Sequence, residues 1–158
     1  CYDADRQPFH QHYGRGNVVR NNIWVFGGES VGIYSRDEPH AGLIWMQNIM
    51  VSRGEPMFKS AFAPDKEAHR MIADGNLYFN TAGRPSFLMA GRKYSFKQWQ
   101  ALGRDRHSLV ANPKFRNLAK RDLSLAKDSP AFKLGFKAID TSRVGLLTPR
   151  KCGPPALK

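Results

Sequence analysis

Three short segments of the chain share one pattern of apolar and polar positions, with an asparagine at the same place in each. The segments read NVVRNNIWV, LIWMQNIMV and MIADGNLYF, and their shared asparagines are Asn22, Asn48 and Asn76. Aligned on that asparagine, the flanking apolar residues fall into four columns. These columns are Val18, Ile44 and Ile72; Val19, Trp45 and Ala73; Ile23, Ile49 and Leu77; and Val25, Val51 and Phe79. A repeat of 26 and then 28 positions is typical of architectures in which each unit stacks on its neighbour.

The repeating unit is predicted to be built from strands. The segments are short, rich in β-branched and aromatic residues, and alternate around the asparagine. An asparagine at a constant place suits a parallel β-helix, because its amide can bond the backbone of a tight bend and that of the next coil. The sequence therefore predicts an all-β parallel β-helix, a solenoid with loop and short-helix insertions. The competing interpretation is three unrelated strands of a β-sandwich.

Two insertions are expected in the coils. Residues 52–70 contain Gly54, Pro56 and Pro64 and are predicted to form a long loop that leaves the second coil. A second excursion is expected over residues 81–107, and the stretch SFKQWQALG within it predicts a short helix. Ser95 is its predicted N-cap, with Gln98 as the capping-box partner and a glycine at the C-terminal stop.

Length and composition indicate one globular domain. The chain has 158 residues, of which 41% are hydrophobic and 24% charged, and no apolar run approaches the length of a membrane span. We assign residues 1–147 to the coils and residues 148–158 to a basic, proline-rich tail. The chain enters its first coil almost at once, so its open end is expected to be covered by further coils of a longer β-helix or by a second chain.

The two cysteines, Cys1 and Cys152, leave three possibilities open. They could form one disulfide across the chain, Cys1 could pair with a segment outside this sequence, or both could be free thiols.

The motif HQHY before the first repeat contains the candidate chemistry. Applying the 26-residue offset places His12 beside Glu38 and His10 beside Arg36, on coils about 4.8 Å apart. Residues two apart on a strand share a face, so these four side chains are expected to form one wall, with His40 continuing it. Two further candidates, Tyr13 and Asp37, are expected to point away from that wall. Trp24 and Tyr78 are expected to face outward beside Met50, where they would either stack on sugar rings or pack under a loop.

Three kinds of site compete for this cluster. In a glycosidase, Glu38 would protonate the glycosidic oxygen, His12 or His40 would orient it, and Asp37 or a carboxylate from another coil would complete the pair. In a uronate lyase, a histidine or arginine would take the C5 proton. In a metal site, His10, His12, Glu38 and His40 would be the ligands. The remaining interpretations are a polar ladder without chemistry and a non-catalytic β-helix that serves as a glycan-binding or structural module.

The charge balance bears on the partner. Lys and Arg number 25 against 13 Asp and Glu, which gives a net charge of +12. Such a field attracts polyanions, including acidic polysaccharide. The basic residues are dispersed and no nucleic-acid-binding motif accompanies them, so a specific nucleic-acid partner is not expected.

The order of motifs along the chain resembles a known group. FHQHYGRGNVVRNNIW, SRDEPH, QNIMV, GNLYFN, SFKQWQALGRDRHSLVANPKF and DLSLAKDSPAFKLGFKAID are similar to the C-terminal half of secreted right-handed parallel β-helix proteins that act on polysaccharides, glycoside hydrolase family 141 and its relatives among them. The resemblance implies a right-handed solenoid, a polysaccharide substrate and a secreted, cell-surface or periplasmic location. No cofactor is expected apart from the metal of the alternative above. The resemblance favours the glycosidase among the three sites, with His10, Arg36, Tyr13 and Trp24 contacting the glycan. It transfers neither the sugar nor the catalytic carboxylates.

Overall fold

The structure, a computed structural model, describes residues 1–63 and 70–141. Within them the chain forms a parallel β-solenoid of about three turns. Each of three successive coils contributes one short strand to each of three sheets, named A, B and C in chain order, and the coils pair in parallel. Sheet B ends in an antiparallel pair. The prediction of an all-β parallel β-helix is therefore confirmed. The proline-rich tail with Cys152 lies outside the described residues.

The strands follow the coils in order. The first coil contains β1 (Tyr2–Ala4), β2 (Phe9–Gln11) and β3 (Asn17–Arg20). The second contains β4 (Ile23–Gly27), β5 (Gly32–Tyr34) and β6 (Leu43–Met46), and the third β7 (Ile49–Ser52), β8 (Phe58–Ser60) and β9 (Met71–Asp74). Then come β10 (Leu77–Asn80), β11 (Ser86–Met89), β12 (Arg92–Ser95), helix α1 (Phe96–Ala101), β13 (Leu109–Val110), β14 (Phe115–Asn117), β15 (Asp122–Leu125) and a 3₁₀ helix (Pro130–Leu134). Sheet A has the order β1-β4-β7-β10-β13, sheet B the order β2-β5-β8-β11-β12, and sheet C the order β3-β6-β9.

The register of sheets A and C matches the predicted columns. Ile49 pairs with Ile23 on one side and with Leu77 on the other. In sheet C, Ile44 pairs in the same way with Val18 and Ile72. The columns of apolar residues therefore stack as the repeat predicts.

An asparagine ladder holds the bends between sheets C and A. The backbone N–H and the side-chain amide of Asn22 donate to Asn48 Oδ1 at 3.0 and 3.2 Å, and those of Asn48 donate to Asn76 Oδ1 at 2.9 and 3.3 Å. The residue just before each ladder asparagine has a positive φ: 59° at Asn21, 54° at Gln47 and 65° at Gly75. The left-handed turn therefore lies one position earlier, and the ladder amides bond coil to coil.

Helix α1 closes the core beyond the third coil. Its N-cap is Ser95, and Gln98 completes the predicted capping box. Trp99 is fully buried and stacks on Phe87, with ring centroids 4.4 Å apart and planes inclined by 5°. The helix thus covers the apolar interior that a solenoid leaves open at its end.

Both predicted insertions contain a strand of sheet B. Strand β8 lies within residues 52–70 and pairs with β5, and β11 lies within residues 81–107 and pairs with β8. Residues 52–70 were predicted as one long loop and residues 81–107 as an excursion with a short helix. The strands found there were not predicted because each has only three or four residues, too few for a clear alternation.

Sheet A is buried on both faces, which overturns one prediction. Met50 and Tyr78 point into the coils and are 0% and 1% exposed, and Trp24 packs half-buried in the same interior against Phe9 and Trp45. The outer face is covered by the β14–β15 hairpin and the 3₁₀ helix, through Phe115, Leu123, Phe132 and their neighbours. Trp24 was predicted to face outward because a strand that is apolar on both faces does not reveal which set of positions points inward.

Candidate functional site

Apart from Trp24, the candidate side chains lie at the corner where the coils pass from sheet B to sheet C, with His10 on β2 directly before it. We call this the B–C corner and define it as residues 12–16 of the first coil, 35–42 of the second and the described part of 61–70 of the third. The loop grows from five residues in the first coil to eight in the second. The second loop is therefore three residues longer than the first, and it contains Ser35 to His40.

The extra three residues explain why the predicted neighbours do not meet. In sheet B, His10 pairs with Ile33, an offset of 23 residues, whereas in sheet C Val18 pairs with Ile44, an offset of 26. The longer loop lies between those two sheets, so the offset changes inside the site itself. The predicted pairs of His12 with Glu38 and of His10 with Arg36 were wrong for this reason.

Four predicted residues form an exposed imidazole–arginine group. Arg36 Nε donates to His12 Nε2 at 3.1 Å, and His10 Nε2 lies 2.8 Å from Ser35 Oγ. The His12 ring lies edge-on to the rings of His10 and Tyr13, with ring centroids 5.7 and 4.6 Å apart. The guanidinium of Arg36 also lies 5.9 Å from the centre of the Tyr13 ring, so Tyr13 faces this group and does not point away as predicted.

The tautomer of His12 follows from its contact with Arg36. A guanidinium only donates hydrogen bonds, so Nε2 of His12 must accept. In this arrangement the ring is neutral and its proton is on Nδ1. Together, the imidazole of His12 and the guanidinium of Arg36 can form hydrogen bonds with sugar hydroxyls or with a carboxylate.

Glu38 and His40 form a second, half-buried pair. Glu38 Oε2 accepts from the backbone N–H of Gly14 at 3.0 Å, and Oε1 lies 3.4 Å from His40 Nε2. Their side chains are 21% and 29% exposed. The Gly14 contact crosses from the first coil to the second, so Glu38 is held at a defined place.

The second carboxylate takes a different partner. Asp37 Oδ1 lies 2.8 Å from Arg70 Nη1 of the third coil. The two candidate acids, Glu38 and Asp37, are therefore neighbours in sequence, and each is held by a separate contact.

The metal alternative finds no support in this geometry. His10 and His12 each use Nε2 toward Ser35 and Arg36. Within residues 1–63 and 70–141, no group of three or more His, Cys, Asp or Glu side chains is arranged to hold a metal ion. Cys1 is exposed and its thiol is free.

Several partners of the site were absent from the sequence interpretation. Ser35, Gly14 and Arg70 fix His10, Glu38 and Asp37, and only the three-dimensional loop geometry identifies them. Because the contacts join different coils, neither spacing nor residue type marks these positions in advance.

A carboxylate–histidine pair outside the corner was also missed. Asp74 Oδ2 lies 2.7 Å from His107 Nδ1, and Asp74 Oδ1 accepts from the backbone N–H groups of His107 and Gly75 at 2.8 and 2.9 Å. Partial burial raises the pKa of Asp74, but these hydrogen bonds outweigh it and leave that pKa below its ordinary value. The two side chains are 33 positions apart, and His107 follows the helical insertion, so no repeat offset connects them.

The comparisons with known proteins gave no match: no family model fits the chain, and no curated protein or solved structure is similar enough to carry an argument. The class of the molecule is therefore defined by its fold, a parallel β-solenoid of about three turns. None of the described helices is both long and apolar enough to cross a membrane.

Proposed function

We propose that this chain belongs to a polysaccharide-acting β-solenoid protein and that the glycan contacts the B–C corner. The observation that carries the proposal is the exposed group of His10, His12, Tyr13 and Arg36, gathered from two coils by side-chain contacts. Its rings and donors are the groups that bind sugar faces and hydroxyls.

Hydrolysis of the bound glycan is the proposed reaction. Glu38, when protonated, would donate its proton to the glycosidic oxygen as that bond breaks, with His40 orienting the carboxyl group. A water molecule would attack the sugar carbon, and a second carboxylate would take its proton. Asp37 is the candidate for that second role, held by Arg70 at the same corner.

Two other functions have an observation in their favour. β-Elimination of a uronate needs a base for the C5 proton and a cation for the carboxylate, and His12 and Arg36 are such a pair. In that reaction Arg36 would turn from His12 Nε2 to the uronate carboxylate, which frees this nitrogen to take the proton. Non-catalytic glycan binding is favoured by Glu38 and Asp37 each already having a protein partner.

The first test is a panel of neutral and acidic plant and algal polysaccharides incubated with the chain. New reducing ends without unsaturated uronate indicate hydrolysis, and reducing ends with unsaturated uronate indicate elimination. Binding without either product supports the non-catalytic alternative. Absence of both binding and turnover across the panel contradicts the proposal as a whole.

The second test is Glu38→Gln, which keeps the size of the side chain but removes its acid. We expect hydrolysis to fall by about a hundredfold or more, the usual contribution of a general acid, with the unfolding midpoint close to that of the unmodified chain. Asp128→Asn, on the exposed turn after β15, is the matched control and should leave activity unchanged. Full activity in Glu38→Gln would remove Glu38 from the reaction.

A further inference from the structure

The outer face of sheet B has a row of side chains that crosses all five strands. Pairing links His10 to Ile33, Ile33 to Lys59, Lys59 to Leu88, and Leu88 to Lys93. We call these five residues the sheet B row. One residue from each strand contributes, so the row is perpendicular to the strands and parallel to the solenoid axis.

The row faces outward because its neighbours along each strand point inward. Tyr34, Phe58, Phe87 and Met89 are between 0% and 2% exposed and belong to the inner core. Side chains alternate along a strand, so the residues between them point away from that core. Ile33 and Leu88, the two apolar members of the row, belong to neither apolar core cluster.

Polar and apolar members alternate along the row. His10, Lys59 and Lys93 lie on every second strand, which places them about 9.6 Å apart at a strand spacing of about 4.8 Å. Ile33 and Leu88 lie between them. A sugar ring in an extended, β-linked chain is close to one strand spacing in length. A glycan lying along the row would therefore place every second ring beside a positive or donor group. The rings between would contact the aliphatic side chains.

The two lysines are available to a ligand to different degrees. Lys59 Nζ lies 3.6 Å from Glu29 Oε2, both side chains are 37% exposed, and Glu29 is shared with Arg6. Lys93 is exposed, and no acidic residue of the described chain forms an ion pair with it. His10, at the other end, belongs to the exposed group of the B–C corner, so the row leads directly into the proposed site.

We infer that the ligand of this face is an acidic polysaccharide with one anionic group on every second sugar, lying along the solenoid axis over the sheet B row. This inference rests on the proposed function and specifies its substrate class. The net charge of +12 adds long-range attraction for such a chain. Single-stranded nucleic acid fits less well, because the positions between the cations are aliphatic and provide no aromatic surface for base stacking.

The experiment compares three glycans with one backbone: one neutral, one with a carboxylate on every second sugar, and one with a carboxylate on every sugar. Binding is measured by calorimetry at about 0.15 M salt, where charges beyond about 8 Å are screened. We expect the alternately charged glycan to bind at least as tightly as the fully charged one and about fivefold or more tighter than the neutral one. A single-stranded DNA of similar length serves as the nonspecific polyanion.

Two double variants separate the row from the general charge. Lys59→Gln with Lys93→Gln should weaken binding of the alternately charged glycan by about tenfold, since two charge contacts to the glycan are lost. Lys120→Gln with Lys127→Gln removes the same charge from exposed positions in and after the β14–β15 hairpin and should change affinity by less than about twofold.

Each remaining outcome has a defined meaning. Equal losses in both double variants, or equal competition by DNA, would show a nonspecific basic surface and overturn the inference while leaving the proposed function standing. Binding or cleavage of the neutral glycan alone, unaffected by the row, would do the same. If none of the glycans binds, both the inference and the proposed function fail.

Discussion

At the residue scale, the asparagine ladder shows how one side chain serves two coils. Asn48 accepts from both amide donors of Asn22 through Oδ1, donates from Nδ2 to Val19 O at 2.9 Å, and is 1% exposed. Asn22 stands at the end of the ladder and is only half-buried. An asparagine inside the ladder is therefore expected to contribute more to the stability of the fold than the asparagine at its end.

The first prediction concerns this difference. Asn48→Ala should lower the free energy of unfolding by about 2–4 kcal/mol, because it leaves the Asn22 N–H and Val19 carbonyl without partners in a buried bend. Asn22→Ala should cost less than about 1 kcal/mol, since water can replace its exposed contacts. Urea unfolding of both variants measures the two values. Equal losses would mean that the ladder is not a buried bonding element.

At the element scale, loop length decides what the corner can bring together. The five- and eight-residue loops of the first two coils place Arg36 beside His12 and hold Glu38 against Gly14. A constant 26-residue period would instead have paired His12 with Glu38. The site is therefore a product of unequal loops on a regular frame, which is where binding residues commonly lie.

Helix α1 is the element on which closure of the core depends. Trp99 stacks on Phe87 and donates from Nε1 to Asp105 Oδ2 at 2.6 Å. Arg104 lies over the same indole, 5.2 Å from its centre. The Trp99 side chain thus links the apolar interior under α1 to Asp105, which also bonds the last asparagine of the ladder.

The second prediction separates these two roles. Trp99→Ala should destabilise the chain by about 3–5 kcal/mol through lost burial and a cavity. Trp99→Phe keeps a stacked ring and loses the N–H donor, so its cost should be smaller, about 1–3 kcal/mol. Lys97→Ala, at an exposed position of the same helix, is the control and should change stability by less than about 0.5 kcal/mol. If both Trp99 variants matched the control, α1 would not contribute to closure.

At the scale of the whole molecule, the three sheets have three different outer faces. Sheet A is covered by the hairpin and the 3₁₀ helix, sheet C presents the aliphatic column Val18, Ile44 and Ile72, and sheet B presents the alternating row. The sheet B face combines the lysines of its row with the imidazole group of the B–C corner. The sheet B row therefore continues from the imidazole group along one side of the solenoid.

Two carboxylates near Asn76, the buried Asp105 and the half-buried Asp74, change the stability of the fold in opposite directions as pH rises. Burial raises the pKa of Asp105, although hydrogen bonds from Asn76, Ser108, Trp99 and Tyr78 lower it in part. The stability that Asp105 contributes is thus greatest below its unfolded pKa of about 4 and is lost as pH rises through the raised folded value. Asp74, with its lowered pKa, contributes stability above that unfolded value and loses it as pH falls through the folded one.

The third prediction uses Asp105→Asn. The amide presents donors to groups that all donate to the carboxylate, so the variant should be less stable by about 1–3 kcal/mol at acid pH. Its deficit relative to the unmodified chain should shrink as pH rises, because only the unmodified chain carries the cost of ionising a buried acid. Denaturant unfolding across the acid to neutral range measures this trend. A deficit that grows with pH would contradict the raised pKa of Asp105.

The sequence predicted most of the frame because the frame repeats. Columns such as Ile23, Ile49 and Leu77 are visible wherever apolar positions and the asparagine recur together, and the capping box of α1 lies within a few consecutive residues. Strands β2 and β5, by contrast, have three residues each, FHQ and GIY, and share no apolar column. The register of sheet B could therefore not be read from the pattern.

The amino-acid order alone thus determined the repeating coil, the bend that contains the ladder asparagine, and helix α1. These follow from local alternation, hydrogen-bonding capacity and capping. Only the tertiary structure decided which polar side chains meet, because three additional residues in one loop change the stacking offset between sheets B and C. It also decided which face of sheet A is interior, since apolar residues occupy both faces and only packing against the hairpin separates them.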